Sequence, residues 1–135
     1  MTRRVLWLYA VVVAMALLLI GGAAPAAASG DWYAAIAVEK PTRAVGWAWG
    51  YAKLSKAKYW ALKECKVEAT KPSRCQMMVT VKNGCAAVAY KTTASGYTYG
   101  SATGPSKNAA KSAALQAAGK NAKLLKAVCT DGNVP

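Results

Sequence analysis

The chain contains no histidine, and beyond its first 30 positions its acids are Asp31, Glu39, Glu64, Glu68 and Asp131 alone. Without an imidazole, Ser–His and Cys–His nucleophile–base pairs are excluded. A glycosidase needs two carboxylates flanking one bond. Glu64 and Glu68 stand four residues apart near a helix end, where pairing with Lys63, Lys66 or Lys71 at the surface is the plainer expectation. Asp31 and Asp131 lie near the termini. Gly46-x-x-x-Gly50 and Gly96-x-x-x-Gly100 lack the following Lys-Ser/Thr of a phosphate loop. The inventory therefore predicts no catalytic residue and no cofactor-binding residue.

Cys65, Cys75, Cys85 and Cys129 complete the reactive side chains. They show no C-x-x-C spacing, which argues against a zinc site. An even count in a small exported chain reads as two disulfides, with three connectivities open. The preferred pairing is Cys65–Cys75, a short loop from a helix end to the next strand, with Cys85–Cys129 closing the second half.

Aromatic residues supply the remaining candidate. Trp47, Trp49 and Tyr51 alternate with Gly46, Ala48 and Gly50, and Tyr97 and Tyr99 echo them between Gly96 and Gly100. If helices cover the Gly/Ala face, these five rings emerge opposite and form a candidate ligand surface amid lysines. The plainer expectation, which weighs more, is that they form the core, because large aromatics dominate small-domain cores.

Arg3 and Arg4, the apolar run from Val5 to Ile20 and the small residues ending in Ala26-Ala27-Ala28 predict a signal peptide, residues 1–28. The run falls short of the roughly 20 residues that span a bilayer. Residues 29–135 are then one secreted or envelope domain. The whole chain carries a formal charge of +13, and loss of Arg3 and Arg4 leaves +11. Such a charge favours anionic partners, although the lysines are scattered rather than clustered.

The positioning elements repeat. Strands over 32–38 and 44–51 precede a helix expected to be capped by Ser55 and to run from Lys56 to Lys66. A strand over 75–82 follows, then Asn83-Gly84, a hairpin signal. Strands over 85–90 and 95–102, a helix capped by Ser106 and ending at Ala118, and a strand over 123–129 complete the chain. Each helix carries a small stripe: Ala57, Ala61 and Cys65, then Ala110, Ala114 and Ala118. The pattern is β-β-α-β twice, in repeats of about 32–82 and 84–130. The expected class is α+β: a mostly antiparallel sheet with two helices packed on one face and two disulfides.

Trp32-Tyr33-Ala34-Ala35-Ile36-Ala37, Gly46-Trp47-Ala48-Trp49-Gly50, Ala61-Leu62-x-x-Cys65, Asn83-Gly84-Cys85-Ala86-Ala87-Val88-Ala89 and Ala127-Val128-Cys129-Thr130 together resemble the domain of unknown function (DUF) 4189 family of small secreted bacterial proteins. With two bridges, the chain is similar to the mycobacterial and actinobacterial variants. The resemblance implies an exported protein without assigned catalytic activity.

The function expected is a secreted, cationic, non-enzymatic binding or effector module acting on an anionic envelope polymer, membrane or host surface, or protein partner. Alternatives are a small envelope glycan hydrolase using Glu64 or Glu68, and a secreted inhibitor or immunity-type factor presenting the 67–74 loop.

Overall fold

Ala34 to Val38 and Ala86 to Ala89 are completely buried, on both sides of their strands. Strands covered on both faces must be central, and their side chains must be small on whichever side a backbone comes close. The computed structural model describes residues 30–132, so the expected signal peptide, residues 1–28, lies outside the described residues. The elements are β1 (Tyr33–Glu39), β2 (Ala44–Tyr51), α1 (Leu54–Glu68), a 3₁₀ turn (Pro72–Arg74), β3 (Cys75–Lys82), β4 (Cys85–Thr93), β5 (Gly96–Gly104), α2 (Lys107–Ala118) and β6 (Lys123–Cys129).

The β-β-α-β order, the antiparallel pairing and the α+β class are as expected. The strands are divided between two three-stranded sheets, β2-β1-β3 and β5-β4-β6, where one sheet was expected. Ala34, Ile36 and Val38 of β1 meet Ala86 and Val88 of β4 and Val128 of β6 between the sheets. The alternate residues Ala35 and Ala37 meet Ala57, Ala61 and Cys65 of α1. Ala87 and Ala89 likewise meet Ala110, Ala114 and Ala118 of α2. The order of layers is helix, sheet, sheet, helix, with each helix on the outer Gly/Ala face of its own sheet.

The expected hairpin at Asn83-Gly84 is a crossover instead. β3 pairs with β1, and β4 pairs with β5 and β6. Asn83 adopts φ +49°, but its N–H donates to the Trp32 carbonyl (2.8 Å) and its side-chain oxygen accepts from the Trp32 N–H (2.9 Å). It is thus tied to the chain entering β1. The Gly84 carbonyl accepts from the N–H of Thr130 (2.9 Å), the residue that directly follows β6 of the second sheet. Asn-Gly serves local backbone geometry, and it cannot dictate which strand becomes the neighbour.

The two copies superimpose by register. Ala37 pairs with Gly46, and Ala89 pairs with Gly100. Gly46 lies under Ala61 and Cys65 as Gly100 lies under Ala114 and Ala118. Gly46 therefore corresponds to Gly100, and the echo of 46–50 in 96–100 is out of phase by four residues. The extra length lies in the β4–β5 hairpin, since nine positions separate Ala37 from Gly46 and eleven separate Ala89 from Gly100.

Both disulfides form as expected, Cys65–Cys75 and Cys85–Cys129. Helix α2 is capped as read, with the Ser106 hydroxyl accepting from the Ala109 N–H (3.2 Å). Helix α1 begins at Leu54, before Ser55, and its N-cap residue is Lys53, without a side-chain cap.

Candidate functional site

The five rings singled out from the sequence divide between two places. Strand β2 is a free edge of its sheet. Val45 and Trp47 turn toward the second sheet, whereas Ala48 turns toward α1. At Gly50 the backbone enters the left-handed region (φ +73°), and the register shifts between Tyr33 and Ala35. This bulge swings Tyr51 to the helix side, where it packs with Tyr33 against the α1 cluster. Simple alternation would have left Tyr51 beside Trp49.

Trp47, Trp49 and Tyr51 line a hollow of about 560 Å³ around the β2 edge, completed by Trp60, Lys63, Glu64 and Val67 of α1. Trp49 is 45% exposed and Trp60 is 40% exposed. Glu64 Oε2 accepts the outward N–H of Trp47 (3.0 Å), so it caps the strand edge where a surface lysine pair was expected. Lys126 Nζ, from β6, sits 3.5 Å from the Trp47 ring centroid. Burial lowers the Lys126 pKa, and the Glu64 carboxylate opposes that shift. Lys63 Nζ lies 4.6 Å from the Trp60 centroid, and Tyr59 meets Trp60 edge-on at 5.3 Å. A second hollow of about 440 Å³, lined in part by Arg43, Val45 and Glu68, shares Trp47 and Glu64 with the first. Together they make a trough along the free edge of β2.

Tyr97 and Tyr99 lie elsewhere, in a clasp between the repeats. Tyr99 packs against the inter-sheet core and donates its hydroxyl to the Lys40 carbonyl. Burial pushes its pKa up to about 12. The Arg43 guanidinium sits 4.8 Å from the centroids of both Tyr90 and Tyr97, and Nη1 donates to the Tyr90 hydroxyl (2.8 Å). Arg43 Nε is buried without a hydrogen-bond partner, so the rings carry much of this contact. Lysine cannot stack as a planar guanidinium does. Arg43→Lys should therefore lose about 1 kcal/mol of stability in urea unfolding, with unchanged secondary structure by circular dichroism.

Beside the clasp, Glu39 is 1% exposed. Its carboxylate accepts the Thr42 hydroxyl, the Thr70 N–H (3.2 Å) and the Lys71 N–H (3.0 Å). It thereby ties the β1–β2 turn to the loop before β3. The Thr42 bond, with the two backbone donors and the Arg74 charge, holds its pKa below the ordinary 4.5 despite burial. A depressed carboxyl stabilises the fold above its unfolded pKa, and that contribution is lost as pH falls through the folded value. The melting temperature should thus decline as pH drops below about 4.5. Glu39→Gln should melt lower at neutral pH and show a flatter acid limb.

Trp60, Lys126, Arg43 and Glu39 were not selected from the sequence. Trp60 carried a legible signal, since Tyr59-Trp60 lies off the buried stripe of α1. Glu39 carried none, because a carboxylate beside Lys40-Pro41 reads as an ordinary turn residue. Among the described residues, no group of three or more Cys, Asp or Glu side chains is placed to hold a metal. No helix among them is long and apolar enough to cross a membrane.

The architecture defines a class: a duplicated, doubly disulfide-bonded α+β sandwich of a kind suited to an oxidising compartment. The family described as "Domain of unknown function (DUF4189)" matches residues 33–129, and the chain belongs to that family. Comparison with curated proteins and with solved structures gave no match.

Proposed function

We propose that this protein is a secreted, cationic, non-enzymatic binding module of the mycobacterial and actinobacterial type, exported after cleavage near Ala28. It acts by contact on an anionic envelope polymer, membrane or host surface, or on a protein partner. The observation that carries this reading is the exposed aromatic surface of β2 and α1, set among lysines on a scaffold of high positive charge. Exposed rings of this size on a small domain mark contact surfaces. The scattered lysines supply long-range attraction that concentrates the protein at an anionic surface. The two disulfides fit an exported scaffold.

The test is retention of the mature protein, residues 29–135, on anionic and on uncharged phospholipid vesicles and on isolated envelope polymer, at low and high salt. Binding to the anionic supports that weakens with salt is expected. Absence of any salt-sensitive retention would sink the electrostatic reading.

A further inference from the structure

The second repeat is an internal comparison for the first. By register, Trp47 and Trp49 correspond to Ser101 and Thr103. With Ala61 set against Ala114, Trp60, Lys63 and Glu64 of α1 correspond to Ala113, Gln116 and Ala117 of α2, while Val67 falls opposite Lys120, beyond α2. The same strand–strand–helix scaffold thus forms with no aromatic residue at the Trp47, Trp49 and Trp60 positions and no charge at the Lys63 and Glu64 positions. The scaffold does not require the aromatic and charged set of the first repeat. Three indoles and one phenol gathered around an edge, two of the indoles nearly half exposed, impose a solubility cost that a purely structural role leaves unexplained.

The chemistry of the trough narrows its occupant. Lys63 and Glu64 line the hollow at the rings, with Lys126 over Trp47, and Arg43, Glu64 and Glu68 line the other hollow. The lining therefore alternates in sign, whereas a phosphate-bearing strand would want it uniformly basic. Alternating donors and acceptors beside flat apolar rings suit a ligand of hydroxyl groups and C–H faces. Glu64 accepts one N–H on Oε2, and a carboxylate has further acceptor positions. The two hollows lie side by side with Trp47 and Glu64 as their common border, which suits a chain more than a single small molecule.

Resting on the binding-module reading above, we infer that the trough along the free edge of β2 is a glycan site taking an uncharged pyranose strand, β-linked because such chains run extended along two adjoining hollows whereas α-linked chains coil. Sugar faces stack on Trp49 and Trp60, and hydroxyls bond Glu64 and Lys63. The lysine surface elsewhere brings the protein to its polymer, and the trough selects the sugar.

Tryptophan fluorescence titration with cellohexaose, chitohexaose and α-linked maltohexaose tests this. At least one β-linked hexaose should give a saturable change with the same affinity at low and high salt, and maltohexaose none. Trp49→Ala and Trp60→Ala should each weaken binding about tenfold or more, while the Ser101→Ala/Thr103→Ala double variant binds as wild type. Both tryptophans are substantially exposed, and unchanged circular dichroism and melting temperature would show that their variants fold. Failure of both β-linked hexaoses to titrate, or wild-type affinity in both tryptophan variants, overturns the site. If salt-sensitive retention on anionic vesicles persists in that event, the trough assignment falls and the contact reading stands. If retention fails as well, both fall.

Discussion

Gly46→Ala is expected to cost the fold about 3 kcal/mol, lowering the melting midpoint by roughly 10–20 °C. The added Cβ would lie 2.1 Å from the Cys65 nitrogen and 2.2 Å from the Ala61 carbonyl oxygen. Both are backbone atoms of α1, so no flexible side-chain end can move aside. The helix would have to lift from its sheet, opening the packed alanine interface of Ala35, Ala37, Ala57 and Ala61. Gly100→Ala should act alike, because its Cβ would lie 2.2 Å from the Ala118 nitrogen and 2.7 Å from the Ala114 carbonyl oxygen. Differential scanning calorimetry measures both. A midpoint within about 3 °C of wild type for either variant would show that the helix is not seated on the strand backbone.

Loss of the Cys85–Cys129 bridge should destabilise the domain by about 4 kcal/mol, against about 3 kcal/mol for Cys65–Cys75. The difference follows from loop closure, since the bridges span sequence separations of 44 and 10 residues. Cys85 and Cys129 are register partners joining β4 to β6, so their bridge closes nearly the whole second repeat. Cys65–Cys75 ties the end of α1 to the start of β3. Urea unfolding of Cys85→Ala/Cys129→Ala and Cys65→Ala/Cys75→Ala double variants gives the order. A larger loss for the short loop would refute loop closure as the governing effect.

Much of this fold was legible because its signals are local. The small stripes of both helices, the Ser106 cap and the cysteine positions each follow from short-range spacing, and each is found where the sequence puts it. What was not legible depends on partners distant in the chain. Asn83-Gly84 carries a turn signal whether the chain doubles back or crosses to another sheet. The similarity of 46–50 to 96–100 is a likeness of composition, and only strand register shows that Gly46 answers Gly100. The aromatic stripe failed as a unit because the bulge at Gly50 reverses Tyr51, while Tyr97 and Tyr99 join a clasp built on Arg43. Trp47 and Trp49 do lie at the trough, but Trp60 comes from an element read only for its buried face.

The direct link at Asn83–Gly84 has a further consequence. Each repeat bares an apolar inner face, Ala34, Ile36 and Val38 on one and Ala86, Val88 and Val128 on the other. Separate halves would find each other only by collision, at the dilution of the surrounding medium. A short tether holds them at a local concentration on the order of millimolar, so the molecule keeps its sandwich closed however dilute it is. It also releases the assembly from strict two-fold identity, which leaves one outer edge free to carry tryptophans while the other stays plain.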